Sequence, residues 1–589
     1  WDPVENAALL PWFTATAFLH SVMVQERRSM LRVWNVTLVI VTFFLTIFGT
    51  FMTRSGVVQS VHAFGDDPVL ARLFTGFMVV ILTFSFGLVI WRLPLLKARN
   101  ELDSWLSREA AFLVNNWVLL FAALFVLFGT MFPTLSEAVT GQRLTVAGAF
   151  FNKWMTPVGL VLLLLTGVGP LLAWRRSSFA NIAPQFMWPG IAGLASLGLA
   201  AGYYKIPIWP AGLCFALCGF VVGTIGQEFW KGAAIRSRNS GTDAFTAMVG
   251  LVGKNKRRYG GYIVHVGIVL ICFGFAGNAR KLDEQVQLKP GQEVTIGKYT
   301  LRSNGVKVAD DGQKQMTTAY LSVFVGGKEI DGLYPAKWAY RRHEQEPTTE
   351  VAIRRTPAED LYAVLGGFDL ADQSVTLQLV VNPLVNWIWF GFGIMALGTG
   401  IALLPERSFA FAVAKMPAEA AATTVAVLLL VLLSGGTTLS AQGMSGDNNT
   451  RTSFYARTPF EKQMQHEIVC TCGACGHQTL AECRKDPCGT SHEMRGQLAA
   501  MIDQGMNHDQ IIQAFIAKYG TEEMLGAPLD EGFSRLAWLF PYLVGATSAI
   551  AVGFAAVKWT RKPDAATAAA APIDSALDER IDDELRDLD

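Results

Sequence analysis

Five cysteines crowd one polar stretch, HEIVCTCGACGHQTLAECRKDPC, as Cys470, Cys472, Cys475, Cys483 and Cys488. A Cys472-x-x-Cys475 dithiol on an oxidising face lowers the pKa of one thiol and exchanges with a partner's disulfide. Four or five thiolates in so tight a run also hold zinc, and both readings stay open. In the redox reading Cys483 and Cys488 form a structural disulfide and Cys470 is left without a role. C-x-x-C-H, the signature of a chain that carries covalent haem, is broken by Gly476 before His477. Cys214, Cys218 and Cys272 sit singly in apolar runs and pack as small hydrophobes.

Histidines form a second group. His20 lies six residues before Glu26-Arg27-Arg28 and His265 seven after Arg258, so at about 1.5 Å rise per residue both stand about 9–11 Å inside the basic surface of a membrane. Each alone reads as a hydrogen-bonded core residue or half of a proton relay. Their shared depth favours two axial imidazoles on one haem iron. His62, in RSGVVQSVHAF, follows a span on the other side with Arg54 near it to meet a carboxylate, and by itself it reads as a surface histidine.

The elements that must position these groups are membrane spans. The chain is 51% hydrophobic and 16% charged, against roughly 25% charged in a soluble domain. A net charge of +1 gives no field for nucleic acid. Apolar stretches near 7–24, 33–52, 71–93, 111–132, 156–174, 185–202, 208–226, 260–278, 384–404, 421–440 and 535–557 predict about 11 spans. Clusters such as Arg27-Arg28, Arg175-Arg176 and Lys254 to Arg258 fall in alternate connections and face the cytoplasm.

The expected fold class is therefore a polytopic α-helical membrane protein with a small β-rich outer domain and a C-terminal helical-hairpin outer domain. Residues 1–278 form the membrane core, and 279–383 a β domain with strands in EVTIGKYTLRS, TTAYLSVFVGG, TEVAIRRT and SVTLQLVVNP. Residues 384–415 hold a span and a cytoplasmic loop. Residues 416–442 resemble a secretory signal at a fusion junction. Residues 443–534 carry the cysteines and two helices, opened by Thr490 with Glu493 and by Asn507 with Gln510 as capping boxes. Residues 535–561 anchor the chain, and 562–589 form an Ala-rich, acidic cytoplasmic tail.

Trp1 and Trp12 flank Asp2, Glu5 and Asn6 at the outer mouth of the first span, an arrangement beyond the usual aromatic belt. Pro3 followed by Glu5 is also ordinary helix-opening chemistry, which favours a structural role for the carboxylates. WDPVENAALLPW, ATAFLHS, FGTFMTRSGVVQSVHAF, SREAAFLVNNW with FGTMFP, and GGYIVHVGI resemble, in that order, the cytochrome c maturation haem lyase family CcmF. CGACGHQTLAEC followed by EMRGQLAAMIDQGMNHDQIIQAFIAKYG resembles the thiol-handling CcmH family, over about 460–560.

The resemblance implies a holocytochrome c synthase with a thiol-disulfide oxidoreductase domain in a bacterial inner membrane, its functional domains periplasmic. His20 and His265 match the membrane pair that binds a b-type haem. His62 matches the second outer ligand of a transferable haem held at the motif of Trp1, Asp2, Pro3, Glu5 and Asn6. Cys472 and Cys475 match the redox pair, while Cys470, Cys483 and Cys488 depart from the commoner pattern and leave room for zinc or a second disulfide. The first outer histidine and further tryptophans are expected upstream of Trp1, so impaired holding of the transferable haem is expected. Implied partners are apocytochrome c, a haem-delivering chaperone and other maturation subunits. The alternative class is a haem transporter with a zinc-binding or scaffold outer module.

Overall fold

The computed structural model describes residues 1–404, 456–472 and 478–560, apart from positions 61, 64, 66, 98–101, 342, 482, 484–488 and 521. Among them, nine helices are long and apolar enough to cross a membrane, and each coincides with one of the first nine expected spans. The expected span at 421–440 lies outside the described residues. The one at 535–557 is a helix over Arg535–Thr560.

Helix α1 (Pro3–Arg28) starts because Asp2 accepts from the backbone N–H groups of Val4 and Glu5 and Pro3 fits the first turn. It ends at Ser29 in the left-handed region, φ 53°. It packs with α2 (Arg32–Arg54) and the 33-residue α4 (Arg108–Thr140), which Ser107 caps. Helix α3 (Pro68–Leu96) lies outside this group, with mostly exposed side chains. Helices α5 (Gly148–Val168), α6 (Phe179–Leu197) and α7 (Leu213–Ser240) continue the layer. A short helix, α8 (Ala244–Lys254), occupies the basic connection after α7, and its Asp243 cap is a start signal the hydropathy reading passed over.

Helices α9 (Lys256–Ala276) and α10 (Asn386–Leu403) are packed at their glycines. A Cβ on Gly267 would overlap Met395 and lie 2.6 Å from the carbonyl of Gly391, and one on Gly274 would lie 2.6 Å from Ile388. Small residues let the two backbones approach where no water drives association. This contact fixes the rotation of α9, and with it the direction of His265.

Between α9 and α10 the chain forms ten antiparallel strands in two sheets. The first runs β1 (Leu282–Leu288), β10 (Ser374–Pro383), β9 (Glu359–Asp369) and β8 (Ala352–Arg355). The second runs β2 (Glu293–Ile296), β3 (Tyr299–Asp310), β4 (Lys314–Val325), β6 (Ala336–Tyr340) and β7 (His343–Glu350), with β5 (Lys328–Leu333) also on β4. Alternate residues such as Leu301, Ala319, Leu321, Leu365 and Leu377 fill the space between the sheets and are at most 1% exposed. EVTIGKYTLRS is two strands, because Gly297 turns the chain at φ 58°.

Residues 456 onward form a small helical domain: α11 (Pro459–Glu467), α12 (Gly489–Asp503) and α13 (His508–Tyr519), followed by α14 (Arg535–Thr560). Asn507 and Gln510 make the expected capping box. Thr490 does not cap α12: the helix already includes Gly489, so Thr490 sits in its first turn. The domain is docked on the membrane core by backbone. Ala147 N–H donates to the Gly526 carbonyl at 2.7 Å, and Arg143 N–H to Glu523 Oε1 at 2.6 Å. Helix α14 adds Trp538 against Phe150 at 5.2 Å and Tyr542 against Trp154 at 4.8 Å.

Candidate functional site

The two membrane histidines meet. The rings of His20 on α1 and His265 on α9 have centroids 6.2 Å apart and planes 2° from parallel. A metal–nitrogen bond of about 2.0 Å and an imidazole radius of about 1.2 Å would separate two opposed ligands by about 6.4 Å. Their spacing is thus that of two imidazoles on one iron. The Thr16 carbonyl lies 2.8 Å from His20 Nδ1 and can only accept, so that nitrogen carries the proton and Nε2 keeps its lone pair. His265 Nδ1 is buried without a hydrogen-bond partner. A free Nε2 lone pair on His20 beside an orphaned buried nitrogen on His265 is a donor set that an iron porphyrin fits.

The surroundings are aromatic and then ionic. Phe112 packs on His20 at 5.7 Å and Trp174 on Phe112 at 6.0 Å. Beyond them Arg28 bridges Asp103 at 2.5 Å and buried Glu109 at 3.2 Å, and Glu109 also accepts from the Arg175 N–H at 2.9 Å. This network ties the end of α1 to the start of α4, one turn from Phe112, and so fixes the height of His20.

At the other end of α1 lies a pocket of about 220 Å³. Trp1 stacks on Phe151 at 4.9 Å and 14°, and its Nε1 donates to Asn152 at 2.7 Å. Gly129 keeps the wall open, since a Cβ there would lie 2.7 Å from the Phe151 ring. Asp2, Pro3, Asn6 and Arg143 also line it. Asp2 is held by its own helix start and by the Ser60 hydroxyl, which donates at 2.5 Å. The buried Asn6 amide donates to Thr130 at 3.0 Å. Both polar side chains therefore have structural duties here.

His62 and Glu5 are outside this pocket's lining: His62 is half exposed, its Nε2 3.6 Å from Glu5 Oε1. Arg54 has no place in this pocket's lining; its basic residue is Arg143, which donates to the Val57 carbonyl and to Glu137, each at 2.8 Å. Sequence reading missed Arg143 because it follows Glu137 and Gly141 in an unpatterned connection. The pocket is completed from across the chain by Gln478 and Thr479.

Those two residues belong to the cysteine segment. Val469 pairs with Thr479, Cys470 N–H donates to the Gln478 carbonyl at 2.9 Å, and Cys483 N–H to the Thr479 carbonyl at 2.8 Å. Cys470 and Cys483 are each 1% exposed, and Cys472 is half buried. Contact with the Cys483 thiol, then burial, pushes the Cys470 thiol well up. Cys475 and Cys488 lie outside the described residues, so the Cys472–Cys475 and Cys483–Cys488 pairings do too.

His508 stands beside the docking contact of this domain. Asp509 at 2.9 Å and Glu467 at 2.6 Å raise its pKa above the usual 6.5. The Glu467 carbonyl in turn accepts from Gly526, the docking residue, at 2.7 Å. A raised folded pKa stabilises fully below about 6.5 and is lost as pH rises through the folded value. The thermal midpoint of the wild type should therefore exceed that of His508→Gln at pH 6 and approach it by pH 9. Equal differences at both values would remove the ion pair from the account.

Comparison with known proteins gives concordant matches. Residues 279–383 match the model of the CcmF C-terminal beta-sandwich, residues 1–59 that of the cytochrome C assembly protein family, and residues 437–586 that of CcmH, a cytochrome C biogenesis protein family. The cytochrome c-type biogenesis protein CycK of Rhizobium meliloti (strain 1021) is 35% identical over 412 residues, 69% of this chain and 59% of the relative. CcmF of Escherichia coli (strain K12) is 32% identical over 411 residues, 69% of this chain and 60% of the relative. A solved structure of the cytochrome c heme lyase CcmF superposes with a TM-score of 0.55 at 28% identity, over 69% of this chain and 60% of that one. The chain thus spans about 60% of the length of these relatives.

Proposed function

The chain belongs to the CcmF family of cytochrome c-type biogenesis proteins and carries a CcmH-type segment on the same polypeptide, and from this premise we propose that it is a haem lyase for c-type cytochromes. It works at the periplasmic face of a bacterial inner membrane, taking haem from a delivering chaperone and a cysteine pair from apocytochrome c. Other maturation subunits are its partners. The observation that carries this reading is the shared wall of the Trp1 pocket, where Gln478 and Thr479 of the thiol segment face Trp1, Asp2 and Asn6.

Attachment needs two reduced thiols beside a held haem. Cys472 attacks a disulfide of the apocytochrome, forming a mixed disulfide and releasing one substrate thiol. Cys475 then displaces the second thiol and leaves the chain with a Cys472–Cys475 disulfide. The substrate's two S–H groups add across the two haem vinyl C=C bonds, giving thioethers with no leaving group. Trp1 with Phe151 offers the substrate haem a flat aromatic edge, His62 holds its iron, and Arg143 supplies the positive charge for its carboxylates. Catalysis here is positioning, which removes the entropy of bringing two reactants together.

His20 and His265 would hold a second, resident b-type haem, which when bound supplies one-electron chemistry that keeps the substrate iron ferrous. The chain's own contribution is to fix the tautomer of His20 through the Thr16 carbonyl and the rotation of α9, which carries His265, through its glycine packing.

The test is covalent haem transfer by the full chain to a reduced apocytochrome, read by the blue shift of the haem α-band as vinyl groups saturate. His62→Ala should slow transfer about tenfold or more, on the scale of losing one positioned group. Unchanged transfer would remove His62 and the Trp1 shelf from the reaction.

A further inference from the structure

The sequence leaves Cys470 without a partner and gives Cys483 to Cys488, whereas the structure brings Cys470 and Cys483 together. The pairing of Val469 with Thr479, and the two backbone bonds to Gln478 and Thr479, fold the chain back so that both thiols enter one apolar cluster with Met464, Leu480, Met494 and Leu498. The Cys470 thiol is hydrogen-bonded to Cys483 and also contacts Cys472. Arg495, 8% exposed, donates to the carbonyls of Leu480 and Cys483, and so holds the Cys483 loop against Cys470. A buried guanidinium is costly in an apolar cluster. Filling space beneath the loop would need no such clamp.

We propose that Cys470 and Cys483 are a second dithiol–disulfide centre, buried and reached from outside through Cys472. This rests on the reading of the segment as one that exchanges thiols with a protein disulfide. The steps balance as follows. Cys472 attacks the partner's disulfide, and one partner thiol leaves. Cys475 displaces the second partner thiol, and Cys470 then attacks the Cys472 sulfur of the Cys472–Cys475 disulfide, so that Cys475 leaves as a thiol. Cys483 attacks Cys470, freeing Cys472 as a thiol. Two S–H bonds of the chain are replaced by one S–S bond, and the electron pair and two protons end on the partner's two thiols. With both sulfurs 1% exposed, small disulfides cannot reach them directly, so half-buried Cys472 sets the rate.

The experiment uses the full chain in detergent, reduced with dithiothreitol, equilibrated in glutathione buffers of set ratio, acid-quenched, alkylated and peptide-mapped without reduction. Cys470 and Cys483 should lose alkylation together, at one two-electron midpoint, and appear as a linked peptide pair. Cys472→Ser should slow the approach to that equilibrium about tenfold or more without abolishing the pair. Cys483 linked to Cys488, alkylation of Cys470 at an oxidising poise, or one zinc per chain shielding both thiols would each overturn the proposal. Formation of the pair in a chain that transfers no haem to a reduced apocytochrome would instead refute the lyase reading and leave the centre standing.

Discussion

His20→Ala and His265→Ala are each expected to strip the full-length chain of its reduced b-type absorption, leaving about a tenth or less of the wild-type haem. The rings stand 6.2 Å apart in nearly parallel planes, so no shift of one side chain lets the other bind alone in the same manner. The loss should be specific. The Arg28–Glu109–Asp103 network and the glycine contacts of α9 with α10 lie away from the rings, so the variants should retain the wild-type elution volume and helix content. Phe112→Ala, which removes only a packing neighbour of His20, should keep the haem and broaden its spectrum. Full haem content in either histidine variant would show that the pair serves protons rather than iron.

Cys472→Ser is expected to reduce covalent haem transfer to an oxidised apocytochrome at least about a hundredfold, since a serine hydroxyl does not exchange with disulfides. Prior reduction of the apocytochrome should restore most of it, because the Trp1 pocket and His62 are untouched. Rescue separates the two halves of the reaction: thiol supply belongs to the cysteine segment and haem holding to the shelf. Failure of reductant to rescue would give Cys472 a structural or metal-binding part. A wild-type rate with oxidised substrate would remove it from the chemistry.

The spans and the histidine pair were legible because both follow from one-dimensional rules. Twenty apolar residues cross a bilayer, and counting from Arg28 and Arg258 gave the matched depth that the ring contact now displays. The Asn507 box was legible because a cap is local. The strand HEQEPTTE was not, since its charged residues hide the period-two pattern and it is specified by pairing with Ala336–Tyr340. The Cys470–Cys483 contact and the seam of Arg143 with Glu523 were invisible for a related reason. They depend on irregular backbone folding onto distant chain, where neither periodicity nor propensity carries information.

Helix α4 receives α1 on one side and α14 on another, so Leu10 and Ala537 share one core and Trp538 leans on Phe150, beside the Phe151 that carries Trp1. Synthesis proceeds from the amino end at about 5–20 residues per second, so helix α1 waits tens of seconds for the far end of the polypeptide. Until Thr479 and Gly526 emerge, the tryptophan shelf has an open side and no thiols beside it. Closure of the Trp1 pocket is thereby the last local event in the folding of this chain, finished only when residues from its far end arrive.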